Sequence, residues 1–111
     1  FFYFFILFIY IKMFVEFKKS NNPKKKLTAI FYDKDKKKIK TTHFGQVGAD
    51  DYTITNDEKQ KELYRKRHKT DLKTNDYKRA GYLAYHVLWN KKTLKASIAD
   101  YMKMFKLKKY N

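Results

Sequence analysis

The sequence predicts an α+β domain in which a small antiparallel sheet precedes a group of helices. In the first part of the chain apolar residues alternate with polar ones, which is the period of a half-buried strand. In the last part apolar residues recur three and four positions apart, which is the period of a helix. Strands that come first and helices that follow together indicate the α+β class. The 111 residues are enough for one domain.

About three strands are expected in the sheet. The first covers residues 13–18, where apolar and charged side chains alternate, and the second covers residues 27–32, where LTAIFY is rich in strand formers. A polar turn, DKDK, follows, so residues 37–44 can return beside the second strand as a hairpin. Such a sheet would present one apolar face to the helices.

About three helices are expected after a glycine-containing loop at residues 45–55. Asn56 or Asp57 can cap the first helix, which has only a narrow apolar stripe. Residues 80–89 (AGYLAYHVLW) are apolar nearly all round and predict a central buried helix. Thr93 can cap the last helix, whose apolar residues have helical spacing. The loop glycines are expected to allow positive φ or a close backbone approach.

The two ends of the chain are expected to lie outside the domain, which covers residues 13–107. Residues 108–111 are expected to form a frayed tail. Residues 1–12 form an apolar leader, which is shorter than the roughly 20 apolar residues that span a bilayer. Three interpretations of the leader are open: it is the trimmed end of a membrane anchor, it is an added strand, or it results from translation that starts upstream of a natural start at Met13. The last interpretation is favoured. Membrane contact is expected only if this leader is native.

The charge of the chain favours a polyanionic partner. Lys and Arg number 27 against 11 acidic residues, which gives a formal net charge of +16. Such an excess attracts polyanions at long range. Lys greatly outnumbers Arg, which indicates neutralisation of phosphates and little reading of bases. Two other interpretations remain open, because the composition of an AT-rich genome raises Lys, and because lysines blunt edge strands and keep proteins soluble.

Basic residues that alternate with aromatic ones are the candidates for nucleic-acid contact. They cluster in the hairpin and in the first helix. The candidate residues are Lys36, Lys38, Lys40, Lys61, Arg65, Lys66, Arg67, His68 and Lys69. Arg67 could instead form an ion pair with Asp51, which would remove it from any binding surface.

The sequence predicts no catalytic residue, metal site or cofactor. The chain has no cysteine, which excludes disulfides and thiolate sites, and its three histidines lack metal-ligand spacing. Asp50 and Asp51 could be part of a metal-dependent nuclease site, but adjacent Asp residues in a loop are more typical of caps and turns. His86, inside the predicted buried helix, is expected to be a hydrogen-bonded core residue.

A series of short motifs runs through most of the domain. The motifs are HFG at residues 43–45, DYT at 51–53, Tyr64 with RH at 67–68, AG at 80–81, LWNK at 88–91, TLKASI at 93–98, DY at 100–101 and Phe105. In this order and spacing they resemble a family of small basic proteins of unassigned function encoded by large nucleocytoplasmic DNA viruses of algae and protists. The resemblance covers about residues 37–107. It departs from the family pattern at Ala49 and Asp50, where the family often has a further glycine.

The resemblance implies a viral setting, in the virion or the infected host cell, and it supports Met13 as the natural start. It transfers no catalytic residue. Three hypotheses follow for the function. The first is non-catalytic, sequence-nonspecific binding of nucleic acid, DNA above all, for example in genome packaging. The second is a minor structural protein of the virion that joins other virion components. The third is a small metal-dependent nuclease.

Overall fold

A computed structural model describes residues 13–110, so the apolar leader at residues 1–12 lies outside the described part of the chain. The α+β prediction is confirmed: an N-terminal sheet packs against several helices. The strands are β1 (Met13–Lys19), β2 (Lys25–Tyr32), β3 (Lys38–Gln46) and β4 (Leu107–Lys109). They lie in the order β3-β2-β1-β4. The first three strands are antiparallel as expected, whereas β4 is parallel to β1.

Alternation along the strands gives the sheet its apolar inner face. Val15, Ala29, Phe31 and Phe44 are all at most 1% exposed and belong to one core cluster with the helices. Val15 is paired with Phe31 across the β1–β2 ladder. Because paired residues of neighbouring strands point to the same face, this register places the whole apolar set on the helix side.

The frayed tail expected for residues 108–111 is wrong over the part that the structure describes. Leu107–Lys109 forms β4, and the amide of Tyr110 donates to the carbonyl of Val15 at 3.1 Å. The Tyr110 ring stacks on Tyr32, with 3.6 Å between the ring centroids. The segment is held by its pairing with β1 and by this aromatic contact. It has only three residues in the strand, which is too few to show the apolar and polar alternation that predicts a strand.

The helical half of the chain consists of four helices and one 3-10 segment. They are α1 (Tyr52–Thr55), α2 (Glu58–Arg67), the 3-10 segment (Lys69–Thr74), α3 (Ala80–Leu83, continued by the π-helical turn Ala84–Leu88) and α4 (Leu94–Met104). None of the helices between residues 13 and 110 has both the length and the apolar character that crossing a membrane requires.

Local capping explains where the longer helices begin. The Asp57 carboxylate accepts from the amides of Lys59 and Gln60 at the start of α2, and the Thr93 hydroxyl accepts from the amide of Ala96 at the start of α4. Each cap satisfies amide groups that have no partner within the helix. Both predicted caps are confirmed, with Asp57 rather than Asn56 at α2.

The α3 segment is buried, as predicted, but its second half is a π-helical turn. Arg65 holds this turn from outside: its Nη1 donates to the carbonyls of Tyr85 at 3.2 Å and Trp89 at 2.9 Å. His86 is 7% exposed, yet its Nδ1 has no hydrogen-bond partner among the described residues, so the expected hydrogen bond is absent there. Burial, and next the charge of Arg65, lower the pKa of His86 to about 4. The imidazole is therefore neutral at pH 7.

Candidate nucleic-acid interface

A cleft of about 490 Å³ opens where the end of β3 meets α2 and α3. One wall comes from the sheet and the loop after it, and the other comes from the two helices. The lining residues are Lys26, Gly45, Gln46, Ala49, Asp50, Asp51, Gln60, Tyr64, Arg67, His68, Ala84, Leu88 and Trp89. The cleft thus combines aromatic rings, amides and charges of both signs.

A buried ion pair fixes the loop that forms the first wall. Lys26 Nζ lies 2.6 Å from Asp51 Oδ2 and also donates to the Ala49 carbonyl at 2.5 Å. Asp51 is 2% exposed. Its Oδ1 accepts from the amide of Thr53, so Asp51 also caps the start of α1. The ion-pair partner of Asp51 is therefore Lys26, and the alternative that Arg67 pairs with it is wrong. Arg67 is exposed and lines the cleft.

Gly45 allows the sheet to approach α3 at this cleft. Its φ is +79°, and a Cβ placed there would lie 2.9 Å from Leu88 Cδ1. The expectation of positive φ is confirmed at Gly45 and at Gly48, where φ is +89°. Only Gly45 is also required by close packing, because nothing lies within 4 Å of a Cβ at Gly48.

Three parallel rings form a column along the other wall; we call Trp89, Tyr64 and His68 the aromatic column. The ring centroids of Trp89 and Tyr64 are 4.3 Å apart with an interplanar angle of 9°. Those of Tyr64 and His68 are 4.1 Å apart at 22°. Burial, and next the nearby Asp71 carboxylate, raise the pKa of the Tyr64 hydroxyl, so Tyr64 stays neutral.

Asp71 orients the last ring of the column. His68 Nδ1 lies 3.1 Å from Asp71 Oδ2. A Cβ at Gly81 would come within 3.1 Å of that carboxylate, so the small residue in α3 leaves room for it. Motif residues that are far apart along the chain thus line one cleft: Gly45, Asp51, Tyr64, Arg67, His68, Leu88 and Trp89.

Beside the cleft, exposed cations follow the end of α2 and the 3-10 segment; we call Lys66, Arg67, Lys69 and Lys73 the basic ridge. An open groove of about 780 Å³ runs along it. The groove is lined by Lys66, Lys69, Thr70, Leu72, Lys73 and Asn75. None of these described lining residues is acidic. Of the residues predicted from the sequence, Lys66 and Lys69 line this groove, whereas Arg67 and His68 line the neighbouring cleft.

The hairpin lysines lie elsewhere. Lys36 is in the β2–β3 turn and Lys38 begins β3, whereas the cleft lies at the opposite end of that strand, at Gln46. A strand of that length spans about 25–30 Å. Lys40 has its Nζ 3.9 Å from Asp76 Oδ2. Lys36, Lys38 and Lys40 therefore do not share one surface with the predicted residues at the end of α2.

Two residues of α2 that were predicted to contact nucleic acid, Arg65 and Lys61, contact other parts of the protein instead. Arg65, besides its two carbonyl partners, has its guanidinium carbon 4.0 Å from the Tyr85 ring centroid, so it is a structural residue. Lys61 has its Nζ 4.7 Å from the Tyr52 ring centroid and shares a small depression with Glu58 and Glu62. Neither residue belongs to the basic ridge.

Sequence reasoning missed Lys73 and Trp89 as parts of this region, and it missed the ion pair that joins Lys26 to Asp51. Lys26 pairs with Asp51, which lies 25 residues further along the chain. Trp89 stacks on Tyr64, which belongs to α2. Lys73 lies between the predicted helices, and the 3-10 turn places it beside Lys69 in the groove. The described residues contain no group of three or more His, Cys, Asp or Glu side chains that could hold a metal ion.

Comparison with known proteins gives one partial match. A family of unknown function (DUF5754) matches residues 15–68, just under half of the chain. This stretch is similar to that family and covers most of β1, the whole of β2, β3, α1 and α2, and most of the residues that line the cleft. No curated protein and no solved structure matches the chain. The viral setting stays a prediction.

Proposed function

We propose that the protein binds nucleic acid without catalysis and that the basic ridge contacts the phosphate backbone. The observation that carries the proposal is the groove lined by Lys66, Lys69 and Lys73, in which no described lining residue is acidic. Closely spaced cations on one surface displace the counterions of a phosphate backbone, and this release drives binding.

The chemistry of the ridge favours binding that depends little on sequence. Three of its four cations are lysines, which act as point charges and do not match base edges in the bidentate way of arginine. Contacts to phosphates position a protein on nucleic acid and carry no sequence information. The net charge of +16 adds attraction at longer range.

A variant with the substitutions Lys66→Gln, Lys69→Gln and Lys73→Gln tests the ridge. The measurement is the affinity for a fluorescent oligonucleotide, by anisotropy, at several salt concentrations. Each phosphate contact adds about 0.7 to 0.9 to the slope of log affinity against log salt. We expect the triple variant to lower the magnitude of the slope by roughly 2 to 3.

The matched control carries Lys95→Gln, Lys103→Gln and Lys108→Gln, which remove the same charge from exposed positions on α4 and β4. This control should keep most of the slope. Equal losses in both variants would show that only total charge matters and would contradict the role of the ridge. If the unaltered protein bound no nucleic acid at low salt, the proposal would be wrong, and the structural virion role would become the better hypothesis.

A further inference from the structure

The aromatic column runs from the core to the surface. Trp89 is 7% exposed, Tyr64 is partly buried, and the His68 side chain is 40% exposed. The two faces of the Tyr64 ring are covered by Trp89 and His68. Only the His68 end of the column is therefore open to solvent among these three rings.

The imidazole at this end is held in a fixed orientation. Its Nδ1 lies 3.1 Å from Asp71 Oδ2, and the His68 amide donates to the Tyr64 carbonyl at 2.9 Å. Because Tyr64 covers one face of the imidazole, the exposed surface lies on the other face and its edge. A ring that is already immobilised loses little conformational entropy when a second flat group stacks on it.

Cations lie near His68. Arg67 lines the same cleft as His68, whereas Lys69, the next residue in the sequence, lines the groove along the basic ridge; both are exposed. A nucleotide whose phosphate lay on the ridge would thus carry its base next to an aromatic platform. Bases of a duplex are already stacked on their neighbours, whereas unpaired bases are free to stack on side chains.

We propose that the open face of His68 stacks against an unpaired base of the nucleic acid whose phosphates the basic ridge contacts. The inference rests on the proposed function and narrows its ligand to single strands, or to unpaired nucleotides within a larger nucleic acid. Stacking is tolerant of sequence because every base has a flat face.

The test compares two single-stranded oligonucleotides with the same number of phosphates, one intact and one with abasic sites. The unaltered protein is expected to bind the intact strand at least about fivefold more tightly, the ratio that corresponds to one stacked base. His68→Ala should reduce this ratio towards one. His68→Phe should retain it, since phenylalanine keeps the ring and removes the titratable nitrogen atoms.

Lys69→Gln is the matched control, because it changes the neighbouring residue and removes a charge without removing a ring. It should weaken both complexes and leave the ratio unchanged. Equal affinity of the unaltered protein for intact and abasic strands would overturn the inference and leave the proposed function standing; this comparison needs no variant to fold. A ratio that persists in His68→Ala would also overturn it. Absence of binding to either strand at low salt would overturn both proposals.

Discussion

Asp51→Asn isolates the charge of the buried ion pair from the capping role of the same side chain. Asp51 Oδ2 lies 2.6 Å from Lys26 Nζ, and the two side chains are 3% and 18% exposed. Asparagine caps helices about as well as aspartate, so the bond from the Thr53 amide can persist. What is lost is the countercharge of the Lys26 ammonium, which keeps only the Ala49 carbonyl.

Removal of one partner of a buried ion pair costs about 3–5 kcal/mol when both groups are fully buried. Lys26 retains some contact with water, so we expect Asp51→Asn to lower the free energy of unfolding by about 2–3 kcal/mol. Asp51→Ala also removes the cap and should cost about 1 kcal/mol more. Urea unfolding followed by the fluorescence of Trp89, the one tryptophan of the chain, measures each value.

The double variant Lys26→Met with Asp51→Asn completes the experiment. Each single substitution leaves a polar or charged group without its partner, whereas the double variant removes both charges. We expect its loss of stability to be smaller than the sum of the two single losses by at least about 1 kcal/mol. Strict additivity, or an Asp51→Asn protein as stable as the unaltered one, would refute the reasoning, since the pair would then contribute nothing as a pair.

Two further predictions concern the loop and the π-helical turn. Gly45→Ala should cost about 2–3 kcal/mol, because positive φ and the contact with Leu88 both oppose the new methyl group, whereas Gly48→Ala, strained but in open space, should cost about 1 kcal/mol. Equal denaturation midpoints for the two variants would contradict the steric part of that argument. For His86, the lowered pKa of about 4 means that the unfolded chain takes up the proton first as pH falls below 6.5. Stability is therefore full above pH 6.5 and is lost between pH 6.5 and 4; about 2 kcal/mol should disappear between pH 7 and 5. A His86→Leu variant, measured by urea unfolding at both pH values, should lack this component, and an unchanged pH dependence would count against it.

Features that depend on neighbouring residues could be predicted from the sequence. Asp57 and Thr93 cap their helices through bonds to amides two or three positions away, and such spacing is visible in the letters. The alternation in β1 likewise records which side chains face the core, whereas Thr28 to Tyr32 of β2 are all buried and show no such pattern. The buried character of α3 followed from its continuous apolar run, although nothing in that run indicated a π-helical turn.

Features that depend on distant residues could not be predicted. The cleft exists because Lys26 meets Asp51 and because Tyr64 meets Trp89, and each pair is separated by 25 positions in sequence. Charge alone did not separate Arg65, which is bonded to backbone carbonyls, from its neighbour Lys66, which is exposed. Only the folded arrangement assigns one of them to the core boundary and the other to solvent.

The parallel pairing of β4 with β1 has a consequence for folding. Met13 is paired with Leu107, so nearly the whole described chain must be in place before β1 gains its second neighbour. Contacts between such distant residues form late, because closing a long loop costs entropy before the contact stabilises anything. Until then β1 offers unpaired amide and carbonyl groups along a strand with one apolar face, which a second molecule can use as a template. The extent of self-association during folding is therefore expected to depend more on the rate at which β4 pairs with β1 than on the stability of the folded domain.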